Sequence, residues 1–385
     1  MEIRFARECE KDNIMEIWNY CFNDGPKFTD YYFNNKYKNY NTIVVEEEAE
    51  IVSSLQLNQY RVQLNNQIYD TSYVVGVSTL PEARGRGYMK YMMDFMLNEL
   101  YKKNQLISIL MPIDYRLYRK YGYEHCYDQI EYEIDIEDLR GFKSTGSLKK
   151  AKLNHIKDMM EIENVYLYNL NGRVIRDKDY YENLFKDVES EEGNIYIHVN
   201  GDSDGYIIYF INGETIFVRE LYYKNLNALK GMLRFLYNHN TQCKKVNIMS
   251  PIDDKIRFIL SNPRNVSMKL KPFMMGRIIN FKKYLESLNI ESNEKSSLVI
   301  SVKDDYIKEN NKIFKINLEN NKLSLESGDF EYDVEFSINT ISQLAFSYIN
   351  GREAYLLNEL EENKKVIEFL DLIFTKKENY INEYV

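Results

Sequence analysis

The sequence lacks the usual marks of a metal centre or a disulfide framework. Its four cysteines, Cys9, Cys21, Cys126 and Cys243, stand without C-x-x-C spacing and without a histidine cluster, so no metal and no bridge is expected and they read as reduced thiols of a core. No apolar run approaches the roughly 18 residues needed to span a bilayer, and Met1-Glu2-Ile3-Arg4 has no signal-peptide profile; no membrane partner and a cytoplasmic location are expected. Positive charge is in deficit, with 50 Lys and Arg against 59 Asp and Glu, a net charge of −9. That balance disfavours phosphate backbones, so no nucleic-acid partner is expected, and it mildly favours cationic ones. Trp18 is the only tryptophan, against 34 tyrosines.

What is present is enough for several cores: 385 residues with 44% hydrophobic content, when domains usually run to roughly 100–200 residues. Ile3–Ala6 reads as a strand and Asp12–Phe22 as an amphipathic helix, with Ile14, Ile17, Trp18 and Cys21 at helical spacing. Asn41–Glu47 and Ile51–Tyr60 read as strands paired around Glu48-Ala49-Glu50, Val62–Tyr69 as a further one around Asn65-Asn66, and Ser72–Leu80 as a fourth. From Tyr88 to Leu100 the residues Met89, Met92, Met93, Met96, Leu97 and Leu100 share one helical face, and Leu106–Met111 is an apolar strand. The pattern is mixed α/β.

An internal repeat divides the chain. Ile107-Ser108-Ile109-Leu110-Met111-Pro112-Ile113-Asp114 aligns without gaps to Val246-Asn247-Ile248-Met249-Ser250-Pro251-Ile252-Asp253. Upstream, Tyr91–Met96 corresponds to Gly231–Leu236 with one residue of slippage. Two buried strands ending at proline could coincide by chance, but duplication of an α/β unit also accounts for the helix. The second copy then runs from about Ser147 to Lys282, with Glu214–Tyr223 standing where Ser72–Leu80 stood. Its turn, Tyr223-Lys224-Asn225-Leu226-Asn227, has no glycine. Glu286–Lys295 reads as a polar linker. Beyond it, strand candidates Leu298–Val302, Lys312–Leu318, Lys322–Ser327 and Asp329–Ser337 precede helical stretches Thr340–Ile349, Ala354–Glu361 and Lys364–Phe374, an α+β arrangement. Three domains are expected, residues 1–146, 147–285 and 286–385, and the ending Tyr380–Val385 is apolar enough to pack.

Chemistry concentrates in Val77-Ser78-Thr79-Leu80-Pro81-Glu82-Ala83-Arg84-Gly85-Arg86-Gly87-Tyr88, between a predicted strand and a predicted helix. Two glycines let the backbone turn and approach a ligand, and the first helical amides have no internal partners, so such an end attracts anions. An ordinary strand-to-helix turn is the plain alternative, and a dinucleotide-binding fold would need a third glycine, which is absent. The arrangement resembles the acetyl-CoA-binding motif of the GNAT superfamily: Val77, Pro81, Arg84 and Gly87 fall at its fixed positions, while Met89 departs from its final Gly/Ala. The resemblance implies acetyl-CoA held by Val77, Ser78, Thr79, Arg84, Gly85, Arg86, Gly87 and Tyr88. In Leu117-Tyr118-Arg119-Lys120-Tyr121-Gly122-Tyr123, Tyr118 stands where GNAT enzymes place a hydroxyl that protonates the departing thiolate. A phenol with a pKa of about 10 stays protonated at neutral pH, against about 8.5 for a thiol. The alternative is that these tyrosines only pack.

A GNAT domain, a degenerate second copy and a final α+β domain together resemble the enhanced intracellular survival (Eis) family, along essentially the whole chain. Lys271-Pro272-Phe273-Met274-Met275-Gly276-Arg277 is similar to its second-domain closing strand, and Ile341-Ser342-Gln343-Leu344-Ala345-Phe346 to its sterol-carrier-protein-like third domain. The resemblance implies direct attack of an amine on the thioester, with a backbone N–H near Val77 stabilising the oxyanion. It further implies the terminal carboxylate, here Val385, as general base, polyamine-like or aminoglycoside acceptors, and a homohexamer. A lysine side chain is a further acceptor. Asp24 and Glu383 are the candidate acceptor-site carboxylates, with solvated surface acids as the alternative. A noncatalytic acetyl-CoA sensor or hydrophobe carrier is the competing reading.

Overall fold

A computed structural model describes residues 1–292 and 295–384; Val385 and part of the Glu286–Lys295 linker lie outside the described residues. The first copy opens with β1 (Glu2–Phe5), α1 (Lys11–Phe22) and α2 (Pro26–Asn35), followed by β2 (Thr42–Glu47) antiparallel to β1. α1 buries Ile14, Ile17 and Trp18, the residues at its predicted spacing. Pro26 starts α2 at the position where a missing N–H leaves no bond unmade. β3 (Glu50–Leu64) and β4 (Gln67–Thr79) form one long hairpin. Its two-residue tip is Asn65-Asn66, at φ 53° and 62°, both in the left-handed region that suits a tight hairpin turn. The strand predicted over Val62–Tyr69 is therefore not a separate element but the shared tip of two longer ones. Alternation continues on both sides of the tip, so a short window could not divide it.

The first copy continues with α3 (Tyr88–Lys102), β5 (Ile107–Leu110), α4 (Tyr115–Arg119) and β6 (Glu124–Asp135). In the second copy the order is β7 (Ser147–Lys150), α5 (Ile156–Tyr166), β8 (Arg173–Val174), α6 (Lys178–Ser190), β9 (Asn194–Asn200), β10 (Asp202–Asn212), β11 (Thr215–Tyr223), α7 (Leu226–Tyr237), β12 (Lys245–Ser250), α8 (Ile256–Ile259) and β13 (Ser267–Ile278). β4 lies antiparallel to β3 and parallel to β5, and β11 lies antiparallel to β10 and parallel to β12. The repeat read from sequence is a repeat of topology.

Among the described residues both copies belong to a single 13-stranded sheet, because they exchange strands. β13 of the second copy lies between β5 and β6 of the first, and β6 in turn pairs with β12 of the second. The third domain carries α9 (Phe281–Ser287), then β14 (Ser296–Lys303), β15 (Ile313–Glu319), β16 (Lys322–Ser327) and β17 (Val334–Ser337) in the order β16-β15-β14-β17, then α10 (Ile338–Ala345), α11 (Gly351–Leu357) and α12 (Lys364–Ile373). α10 packs on the exchanged strand: Ser342 Oγ accepts from the Ile278 amide at 3.0 Å, and a Cβ on Gly276 would meet Phe346 Cζ at 2.6 Å. Asn65, at the hairpin tip, donates to the Ala345 carbonyl at 2.8 Å and accepts from Ser347 Oγ at 2.7 Å, while its amide donates to Asn171 Oδ1 at 2.8 Å. One residue thus touches all three units.

One sequence expectation changes. Cys126 and Cys243 are buried, but Cys9 is exposed and Cys21 half-buried, since Cys9 lies in the turn before α1 rather than on its core face. No described helix is long and apolar enough to cross a membrane. Arg277 on β13 is fully buried, and one of its nitrogens reaches both carboxylate oxygens of Asp304 at 2.9 Å. Asp304→Ala would leave a cation unpaired in the core, so urea unfolding should report a loss of about 3–5 kcal/mol; a loss below about 1 kcal/mol would mean that this pair does not hold the third domain to the sheet.

Candidate active site

β4 and β5 pair only from Thr71–Val74 against Ile107–Leu110. β5 then ends, while β4 continues to Thr79, so the two strands part. At the same level β4 bulges. Val75 faces Gln56 and Ser78 faces Ser54, which leaves Gly76 and Val77 together opposite Leu55. Gly76 has φ +58°, and a Cβ there would fall 2.0 Å from Gln56 Oε1 and 2.3 Å from the Trp18 ring, so only glycine fits. Ser53 fixes the end of the strand, donating to the Ser78 carbonyl at 2.6 Å and meeting Thr79 Oγ1 at 2.7 Å.

The turn that follows is held open. Gly85 and Gly87 take φ of 79° and 80°, and α3 starts without a side-chain cap. The amides of Gly85, Arg86, Gly87, Tyr88 and Met89 find no acceptor among the described residues. Five such donors at the positive end of a helix form an anion cradle. Arg84 Nε bonds the Thr79 carbonyl at 3.1 Å and pulls the turn back on the strand, whereas Arg86 is ion-paired to Glu47 at 2.6 Å, so of the two predicted cations Arg86 is already neutralised. The corresponding end in the second copy is closed. Asn225 Oδ1 accepts from the Ala228 amide at 2.9 Å, its Nδ2 donates to Asp204 at 3.1 Å, and the Lys224 amide reaches the Asp204 carbonyl at 2.8 Å.

Tyr118 sits on α4, which Asp114 starts by accepting from the Arg116 amide at 2.9 Å. Its ring is buried among the residues under α3, and its hydroxyl has no hydrogen-bond partner among the described residues. Burial pushes the phenol up to about 12, so it is protonated throughout the neutral range. Tyr123, by contrast, is fully buried and bonded to Ser108 at 2.7 Å, which is packing. The ungapped repeat puts Arg257 at the place of Tyr118, where it donates to the Ile252 carbonyl at 2.8 Å and offers no hydroxyl.

The chain end threads between the two copies. Ile381 accepts from Gln129 Nε2 at 2.9 Å, Asn382 donates to the Arg219 carbonyl at 2.8 Å, and the Tyr73 hydroxyl of β4 donates to the Glu383 carbonyl at 3.3 Å. Glu383, expected to face an acceptor, is instead 3% exposed and bonded to Arg176 at 2.9 Å and to the Tyr180 hydroxyl. Arg176 also meets Glu220 at 2.8 Å and Glu163 at 3.7 Å, so one guanidinium faces three carboxylates. Tyr181 donates to Glu163, and Tyr206 to Glu220 at 2.8 Å. Asp24 accepts from Trp18 Nε1 at 2.9 Å and borders a separate hollow beside Ser190 and Glu192. The predicted base, Val385, lies outside the described residues. A cavity of about 650 Å³ opens beside the tail, lined by Gln56, Asn58 and Tyr60 of β3, Tyr180 of α6, Glu220 of β11 and Tyr384.

Sequence reasoning did not find Arg176, Glu163, Glu220, Gln56 or Asn58. Arg176 and Glu383 are 207 residues apart and meet only through the duplication, so no spacing could signal them. Among the described residues no side-chain group is arranged to hold a metal ion.

Residues 2–126 and residues 172–278 each match an acetyltransferase (GNAT) domain family, and residues 281–382 match a sterol carrier protein domain family. No curated protein matches the chain. Among solved structures, a probable N-acyltransferase from Enterococcus faecalis V583 superposes with a TM-score of 0.87 at 23% identity, over 100% of this chain and 99% of that one. A GCN5-related N-acetyltransferase from Anabaena variabilis ATCC 29413 gives 0.86 at 21%, covering 100% of both chains. Eis1 from Mycobacterium abscessus gives 0.77 at 15%, again over 100% of both. These likenesses show a shared fold of two GNAT domains and a sterol-carrier-protein-like domain.

The tail latch makes a pH prediction. Burial lifts the Glu163 carboxyl to about 7 from its ordinary 4.5, against the pull of Arg176. A raised carboxyl contributes stability that is full below the unfolded value and lost as pH rises through about 7. Glu163→Gln, neutral at every pH, should therefore gain on the wild type in urea unfolding between about pH 5 and 8; a constant difference between the two proteins would mean that Glu163 titrates normally.

Proposed function

We propose that this chain, an N-acetyltransferase built of two GNAT domains and a sterol-carrier-protein-like domain, uses acetyl-CoA to acetylate a primary amine in the manner of the Eis family. The acceptor is a cationic small molecule of polyamine or aminoglycoside kind, or a lysine side chain. One observation carries the reading: the five amides before and at the start of α3 are open in the first copy, and the matching end in the second is capped by Asn225. Among the described residues, it is the first copy whose helix end has donors free for a diphosphate. The whole-length likeness to Eis1 supports the same reading at the level of the fold.

Acetyl-CoA supplies a thioester ready for attack and a diphosphate for the cradle. The chain supplies the rest. The bulge at Gly76-Val77 takes an amide out of the ladder, where it can donate to a developing oxyanion. Tyr118, kept protonated by burial, is the proton donor to sulfur. The tail, fixed on Tyr73 two residues before its end, would present the Val385 carboxylate as the acceptor of the amine proton. A new C–N bond forms as the C–S bond breaks, one proton passing to that carboxylate and one from Tyr118 to the thiolate. An α-carboxyl near about 3.5 is a weak base for an amine near about 10, and the cavity must raise it. No metal takes part in this scheme. A carrier role for the third domain is less well supported, since Phe314, Ile316, Phe336, Leu344 and Phe369 fill its interior. A homohexamer and a cytoplasmic location, both taken from resemblance or composition, belong to the same proposal.

Tyr118→Phe should lower turnover by about tenfold or more with little change in the acceptor KM; a wild-type rate in thiol-release assays would remove Tyr118 from the chemistry. Gly87→Val, at φ +80°, should strain the turn and weaken acetyl-CoA binding by about tenfold or more in calorimetry; unchanged affinity would place the diphosphate elsewhere.

A further inference from the structure

β3 carries two carboxamides that the fold leaves wholly or partly without partners. Gln56 is 2% exposed, and neither its Oε1 nor its Nε2 has a hydrogen-bond partner among the described residues. Two residues on, and so on the same face, Asn58 has a buried Nδ2 without a partner, while its Oδ1 accepts from the Tyr32 hydroxyl at 3.1 Å. Each buried polar group left unpaired destabilises the fold, and a methionine or leucine would serve a merely packed position better. Both carboxamides line the cavity beside the tail.

Their places in the ladder join the two ends of the proposed chemistry. Gln56 pairs with Val75, directly before the bulge, with its Oε1 against Gly76. Asn58 pairs with Tyr73, whose hydroxyl holds the Glu383 carbonyl. The two therefore span the gap between the oxyanion position and the chain end. Their chemistry is specific. Gln56 offers one acceptor oxygen and one NH2 group, and Asn58 one further NH2 group. An alkylammonium has donors only; it could satisfy Oε1 but would leave Nε2 and Nδ2 unpaired. A ligand that also brings a lone pair satisfies all three.

We infer that Gln56 and Asn58 determine acceptor specificity, and that the preferred amine carries a hydroxyl or carboxamide oxygen on a neighbouring carbon. The inference rests on the acetyl-transfer reading and narrows its substrate class, away from simple polyamines and lysine side chains, to amino alcohols and amino amides.

The test compares n-propylamine with ethanolamine, its near-isostere, and with glycinamide, in wild type, Gln56→Met, Gln56→Glu and Asn58→Leu. Ratios of kcat/KM between acceptors are compared across the four proteins, so that differences in amine basicity cancel. The wild-type preference for ethanolamine and glycinamide should fall by about tenfold or more in Gln56→Met and in Gln56→Glu, which keeps the acceptor and loses the donor, and by a smaller factor in Asn58→Leu. Gln56→Met should melt no lower than the wild type without substrate, which separates lost recognition from lost fold. An acceptor ratio unchanged in both Gln56 variants would overturn the inference. Thermal shift with the same amines, without acetyl-CoA, separates it from the reading beneath it. No turnover of any amine, with stabilisation by ethanolamine and glycinamide but not propylamine, would end the acetyl-transfer proposal and keep the site. Equal stabilisation by all three would overturn the site itself.

Discussion

The exchange of β6 and β13 is the constraint on which the site depends, because the ladder from Met275–Ile278 to Ile107–Leu110 closes the first copy's sheet beside the strands that part. Without β13, β5 would present a bare edge where the splay with β4 begins. With it, the sheet runs on into the second copy, and α6, β11 and the chain end come to lie over β3 and β4. The cavity is a product of this continuity. Its lining comes from the first copy, from the second, and from Asn382 and Tyr384 of the tail.

Duplication then left two helix ends with different fates. A helix start needs its first amides paired, by a side chain, by water or by a ligand. In the second copy Asn225 and Asp204 satisfy that need internally, which fixes the turn. In the first, two glycines at positive φ hold the amides outward and leave the need unmet. The second copy retains a different task. Arg176, Glu163 and Glu220 form a buried socket into which Glu383 fits, so the second copy positions the tail beside the first.

Much of the scaffold was legible in the sequence because it rests on local periodicity. The methionine face of α3, the strands of the third domain and the repeat around the two Pro-Ile-Asp segments all leave patterns within short windows. Boundaries moved where a cap decided them: α10 begins at Ile338 rather than Thr340 because Ser337 caps it through the Thr340 amide. Of the candidate site, the glycine turn and Tyr118 were legible as residues, and their roles stay proposals. The strand exchange was not legible, since pairing between residues so far apart in the chain leaves no trace in composition or local periodicity. Glu383 was visible only as an acid near the end, and nothing nearby announced that Arg176 would bury it. Gln56 and Asn58 were invisible for a further reason. Polar residues on a strand usually face water, and only the fold turns this face inward.

The interleaved sheet also fixes the order in which a growing chain can become an enzyme. When residue 126 leaves the ribosome, every element of the GNAT cradle has been synthesised, yet the neighbour that β5 requires is still more than a hundred residues from translation. The nascent half must wait with an unpaired edge until Ile278 arrives, and Asn382 and Tyr384 at its cavity come later still. Removing either copy would strip the other of a neighbouring strand, because β13 sits between β5 and β6 and β6 pairs in turn with β12.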